Sequence, residues 1–265
     1  MLMGVPRSGT TWIGKSLSLA PDVSYIFEPD APRYPSNWAW RVYDYWDWRE
    51  WYVAEDESRV KLSAAANRVV KHFRHVIESN RNGARTVIIK VPRVEKMPYI
   101  LHRLQPDKVV FVRRNPLGVL NSHIKLGALE NHGGHICREF EWLAKYDRKR
   151  ELGLDYNSAV STEDKLLILT KARQKIAPKV TAPYDSAIYR YESICADPVE
   201  NFADLYRFLD LEWSVEIGDK IAGYCNPDRE GSGMHTYKRK SIQRAHAWRE
   251  ELPLPLQKRA EELLQ

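Results

Sequence analysis

The stretch GVPRSGTTWIGKS, Gly4 to Ser16, reads as a phosphate loop in two overlapping frames, and the frames imply different chemistry. In the first, the loop opens at Gly4 and closes at Gly9-Thr10-Thr11, with no lysine inside it. In the second, it opens at Gly9 and closes at Gly14-Lys15-Ser16, a literal G-x-x-x-x-G-K-S whose lysine would reach the terminal phosphates of ATP. In either frame backbone N–H groups and a helix N-terminus hold the anion. The flanks therefore decide. Gly4 follows a short apolar run, and the residues after Gly9 carry apolar side chains at helical spacing. The second frame would need a strand made of GVPRS and a loop holding Trp12 and Ile13. The first frame is preferred.

The ends of the later strands carry the next chemical signal. Lys90, Arg113-Arg114 and Arg190 close three buried apolar runs, and all are positive. Enzymes that use magnesium-bound nucleotides place an aspartate at such a strand end to hold the metal. A cationic rim instead fits a multiply anionic nucleotide that brings no metal. Glu28 closes the second strand, 21 residues beyond Arg7, and a carboxylate there faces the same rim as the glycine loop. Asp30 is a poorer candidate, with Pro29 between. His132 and His135 flank two glycines but have no third ligand nearby, so no metal site is expected.

These side chains need a sheet to position them. Leu2 to Val5, Val23 to Phe27, Thr86 to Val91, Val109 to Val112 and the run SAIYRYE, closing at Arg190-Tyr191, read as strands, the last three of them buried. Helices are expected from Trp12 to Ala20, Ser58 to Ser79, Glu95 to Leu104, Pro116 onward, Ile136 to Arg150, Thr162 to Ile176, Pro198 to Leu209 and Pro255 to Leu264. ENHGGH (Glu130–His135) reads as a loop. Strands alternating with helices imply an α/β fold of three layers, a central mostly parallel sheet flanked by helices, with a phosphate-loop-like first turn. One domain over residues 1–265 is expected, with an aromatic-rich insertion at about 29–57.

Composition narrows the partners. The chain has 265 residues, 43% of them hydrophobic, enough for a sizeable core. Its net charge of +6 is spread along the chain, which suits a nucleotide-sized anion and speaks against a nucleic-acid surface. Cys137, Cys195 and Cys225 are far apart and odd in number, as in a reducing, cytoplasmic protein. No signal peptide and no apolar run of membrane-spanning length is evident.

Four motifs in order over nearly the whole chain resemble those of sulfotransferases that use 3′-phosphoadenosine-5′-phosphosulfate (PAPS). GVPRSGTTW is similar to their 5′-phosphosulfate loop, and VFVRRNPLGVLNSH to their 3′-phosphate segment, with Arg114 and Ser122 eight residues apart. RYESICADP is similar to their adenine-side segment, and YKRKSIQRAHAWR to their C-terminal basic loop. The resemblance implies a sulfotransferase fold, PAPS as donor, 3′-phosphoadenosine-5′-phosphate (PAP) as product, and no metal. It implies that Arg7, Ser8, Gly9, Thr10 and Thr11 hold the 5′ side, that Trp12 stacks on adenine, and that Tyr191 hydrogen-bonds near it. Arg114, Ser122, Arg239, Lys240 and Ser241 would hold the 3′-phosphate. The histidine base of phenol and steroid sulfotransferases is absent, since Val91 follows Lys90. Glu28 stands where tyrosylprotein sulfotransferases and many bacterial relatives carry a catalytic glutamate. Glu28 is therefore the expected base, Lys90 the cation on the leaving oxygen, and Arg7 its helper. His123 follows Ser122 near the acceptor and is not expected to be the base.

The segment Trp38 to Tyr52 holds eight tryptophans and tyrosines directly after Glu28. Aromatic faces suit a hydroxyl-bearing acceptor of carbohydrate, phenolic or lipid-like character. Two other functions are compatible with the sequence: a magnesium-ATP small-molecule kinase using Lys15, and a non-catalytic nucleotide- or glycan-binding module of the same fold.

Overall fold

The structure, a computed structural model, describes residues 1–29, 64–92, 94, 97–147, 151–226 and 240–265. Five parallel strands form one sheet: β1 (Leu2–Gly4), β2 (Val23–Phe27), β3 (Thr86–Val91), β4 (Val109–Arg113) and β5 (Ser186–Arg190). Their order is β2-β3-β1-β4-β5, so the shortest strand is central and the chain changes direction across it between β3 and β4. Open α/β sheets bind ligands outside the carboxyl ends of the strands at such a switch.

Side-chain alternation sorts the core into two faces. Met3, Ile89, Val109 and Phe111 pack on one side against α2 (Ala64–Asn80), α3 (Met97–Leu104), α5 (Ala128–Tyr146) and α6 (Thr162–Thr181). Leu2, Ile88, Val110 and Val112 pack on the other against α1 (Thr10–Leu17), α7 (Tyr191–Ala196), α8 (Pro198–Phe208), α9 (Val215–Cys225) and α10 (Ser241–His246). The sheet is thus covered on both faces, as a parallel sheet requires. A third cluster joins α4 (Pro116–Ile124), α5 and α6 to the last helices, α11 (Trp248–Glu251) and α12 (Leu254–Leu263).

Local chemistry sets several ends. Asn115 and Asp197 cap α4 and α8, each with proline at the first helical position, and Ser161 with Asp164 forms a capping box on α6. Three expectations need correction. Glu130–His135 is helix, inside α5, because Gly127 (φ 60) starts the helix earlier and the flanking residues sustain it. β5 is an edge strand with Ile188 43% exposed, so it is only partly buried. α6 continues past Ile176 to Thr181, with Pro178 in its last turn, where Ala182 N still donates to Pro178 O at 3.0 Å. Most of the aromatic-rich insertion lies outside the described residues, and so does the expected start of the second helix.

Candidate active site

The loop from Val5 to Gly9 joins β1 to α1. Gly9 is left-handed (φ 87), and α1 begins at Thr10. The alternative frame falls inside the helix: Gly14 and Ser16 are buried in α1, and Lys15 lies in its last turn. Gly14 has a different reason to be glycine. A Cβ there would stand 2.2 Å from Cε2 of Tyr25, whose ring reaches α1 from β2.

Two glycines shape the loop. A Cβ on Gly4 would meet Ser8 Oγ at 2.5 Å, and a Cβ on Gly9 would meet Tyr191 Cε2 at 2.4 Å. Ser8 is fully buried, and its amide and hydroxyl both donate to Val5 O, at 3.0 and 2.6 Å. Its hydroxyl is therefore turned into the loop rather than toward the rim. Thr10 is buried too, while Arg7 (φ 70) and Thr11 remain half-buried.

Arg7, Arg114 and Ser122 come together. Arg7 Nε donates to Ser122 Oγ at 3.1 Å, and Arg114 Nη1 donates to Arg7 O at 2.6 Å. The Arg114 guanidinium lies over the Tyr191 ring at 4.4 Å, and Nη2 reaches Arg244 O at 3.4 Å. Its Nε is buried with no partner among the described residues, and Gly118 makes room beside it: a Cβ there would stand 3.0 Å from Nε. Gln174 Nε2 donates to Arg114 O at 2.5 Å. Glu192, which sequence reasoning did not single out, accepts from Asn115 N at 2.8 Å and so holds the turn that starts α4. Only its place beside Tyr191 could have pointed to it.

Glu28 and Lys90 form the second group. Phe27 pairs with Lys90 across β2 and β3, so Glu28 follows directly at the strand end. The Lys90 ammonium donates to a Glu28 carboxylate oxygen, and Glu28 N donates to Lys90 O at 3.0 Å. Lys90 pairs with Leu2 in β1, whose side chain faces the α1 side of the sheet. Lys90 therefore emerges on the face where the glycine loop opens into α1.

Other candidates are placed differently. Trp12 is 1% exposed and packs edge-on to Tyr191 and Phe202. Tyr191, equally buried, supports Gly9 and Arg114. Ser241 opens α10 and is buried, Lys240 is exposed just before it, and Arg239 lies outside the described residues, as does Asp30. His123 is buried, and its Nδ1 lies 3.0 Å from Val119 O. Burial lowers its pKa to about 4, and Arg7, Arg173 and Arg114 add to that by repulsion. His135 Nδ1 faces Glu139 at 3.5 Å. Among the described residues no group of three or more His, Cys, Asp and Glu could hold a metal ion, and no helix is long and apolar enough to cross a membrane.

The parallel sheet with a glycine loop on its central strand carries a cationic cluster on one side and a carboxylate–ammonium pair on the other. The chain belongs to the sulfotransferase family, whose family model matches residues 1–215. The sulfotransferase domain from the curacin biosynthetic pathway aligns with 99% of this chain and 94% of its own, at 15% identity and a TM-score of 0.52. The sulfotransferase domain of the Synechococcus PCC 7002 olefin synthase aligns with 99% of this chain and 91% of its own, at 14% identity and a TM-score of 0.53. At these identities the two structures carry the fold. A search of curated protein sequences gave no match.

Proposed function

We propose that the protein is a PAPS-dependent O-sulfotransferase in which Glu28 is the general base and Lys90 the cation on the leaving oxygen. The observation that carries this reading is the contact of the Lys90 ammonium with the Glu28 carboxylate at the ends of neighbouring strands. Sulfuryl transfer needs a base for the acceptor proton and a positive charge on the oxygen that departs. The acceptor oxygen attacks sulfur and its proton passes to Glu28. The bond from sulfur to the 5′-phosphate oxygen breaks, PAP leaves, and Lys90 donates to the freed oxygen. Arg7 and the amides at the start of α1 take the charge on the 5′ side.

The Arg114–Ser122 cluster is assigned to the 3′-phosphate, together with Lys240, Ser241 and Arg239. Support comes from the unpartnered Arg114 Nε and from the Ser122 hydroxyl already turned to Arg7. Charge-assisted contacts of this kind are the strong ones for phosphate. Lys15, in the last turn of α1, has no place in this scheme, and the kinase reading loses its loop. The acceptor is a hydroxyl compound, with the aromatic segment 38–52 as its proposed platform. The three cysteines, free of disulfides, suit a reducing cytoplasmic setting.

The experiment is PAP release from PAPS by wild type and by Glu28→Gln, alongside PAP binding to both. Catalysis by wild type with binding but no turnover in the variant supports the reading. A wild type that binds PAP yet releases none from PAPS would make the protein a non-catalytic module.

A further inference from the structure

The Lys90 ammonium has an aromatic neighbour that no motif announces. Phe27 pairs with Lys90 across β2 and β3, and in a parallel ladder directly paired residues project from the same face. The ammonium lies 4.4 Å from the centroid of the Phe27 ring. Lys90 is only 5% exposed. Its charge therefore sits between a ring face and a carboxylate, with little water to compete.

The ring is itself braced. Phe27 meets Tyr25 edge-on, with centroids 6.4 Å apart and planes at 83°. Tyr25 rests where Gly14 of α1 leaves space, as the 2.2 Å approach of a built Cβ shows. A column thus runs from α1 through Tyr25 and Phe27 to Lys90.

We propose that Phe27 is a positioning residue for sulfuryl transfer: its ring holds the Lys90 ammonium on the catalytic rim when the ammonium leaves Glu28 for the departing oxygen of the donor. The inference rests on the proposed roles of Glu28 and Lys90. Those roles set a conflict, because the cation that neutralises the base in the ligand-free protein must serve another oxygen during reaction. An aromatic face resolves it. It attracts a cation without directional hydrogen bonds and carries no proton acceptor. Lys90 can turn from one oxygen to the other while keeping the same ring beneath it.

The test uses Phe27→Leu and Phe27→Tyr in the full chain. PAP release from PAPS is followed, which counts transfer to any acceptor, water included, and PAP affinity is measured by calorimetry. Phe27→Leu keeps a branched apolar side chain but loses the ring. It is expected to lower kcat roughly 2- to 30-fold, the rate equivalent of one cation–π contact, with KM for PAPS and PAP affinity unchanged. Phe27→Tyr is expected to restore kcat. A thermal melt of each variant separates this from loss of fold, which would lower PAP binding as well. Wild-type turnover with an equally active, folded Phe27→Leu overturns the inference and leaves the reading of Glu28 and Lys90 standing. A wild type that releases no PAP overturns both.

Discussion

Glu28 and Lys90 are joined at two points: the amide of one donates to the carbonyl of the other at 3.0 Å, and their side chains form an ion pair. The backbone bond holds Glu28 at a φ of 46, a left-handed conformation that costs a non-glycine residue roughly 1–2 kcal/mol. Strain of this kind survives where the surroundings over-determine it. Here the surroundings are the end of a five-stranded sheet and the cation the carboxylate meets there.

Glu28→Gln is nearly isosteric and keeps the backbone contact. Turnover should fall roughly 10²- to 10⁴-fold, the scale of a general base, while PAP affinity stays within a few-fold of wild type. Steady-state PAP release and calorimetry on the same preparation check this. A variant with near-normal kcat removes Glu28 from the role.

The loop frame makes an opposed pair of predictions. Arg7→Ala should weaken PAP binding at least 10-fold, because it removes the guanidinium from the loop and from Ser122. Lys15→Ala should leave PAP affinity unchanged, since Lys15 lies a full turn or more into α1. Calorimetric titrations of both variants decide the matter.

Gly9→Ala combines two costs. The residue has φ 87, and its new Cβ would fall 2.4 Å from the Tyr191 ring. The backbone alone costs roughly 1–2 kcal/mol, or about 2–8 °C in Tm for a chain of this size. PAP binding should fall as well, because Tyr191 moves and it carries Arg114. A melt with normal Tm would contradict the left-handed loop.

Those residues also show what could be read in advance. The strand Thr86–Val91 was legible to the residue, because β-branched side chains buried on both faces leave one solution. Glu28 and Lys90 were legible as strand ends, but their pairing depends on β2 lying beside β3, a long-range fact. The packing of Trp12 was hidden for the same reason: its partners Tyr191 and Phe202 come from the far end of the sequence. Gly14 mimicked a phosphate loop, and only the Tyr25 ring reveals its purpose. His132-Gly-Gly-His135 carried turn residues, yet helix packing on α6 outweighed their weak propensity.

His123 gives a pH prediction. Its pKa is about 4 in the folded protein and near 6.5 when unfolded, so the unfolded state binds the extra proton between these values. Stability from this group is full above about 6.5 and is lost as pH falls through about 4, up to roughly 3 kcal/mol. Replacing His123 with Phe should flatten the fall in stability between pH 6.5 and 4 by about one proton in slope, read from chemical melts across that range. An unchanged slope would place a charged imidazole in the site.

The account as a whole stands on a nucleotide with phosphates at both ribose ends, held without a divalent ion. Calorimetry with PAP in the presence of a chelator, and with ATP plus magnesium, tests it most directly. PAP should bind and magnesium-ATP should not, and Arg114→Ala should abolish the PAP signal. Tight binding of magnesium-ATP with no heat from PAP would contradict the account.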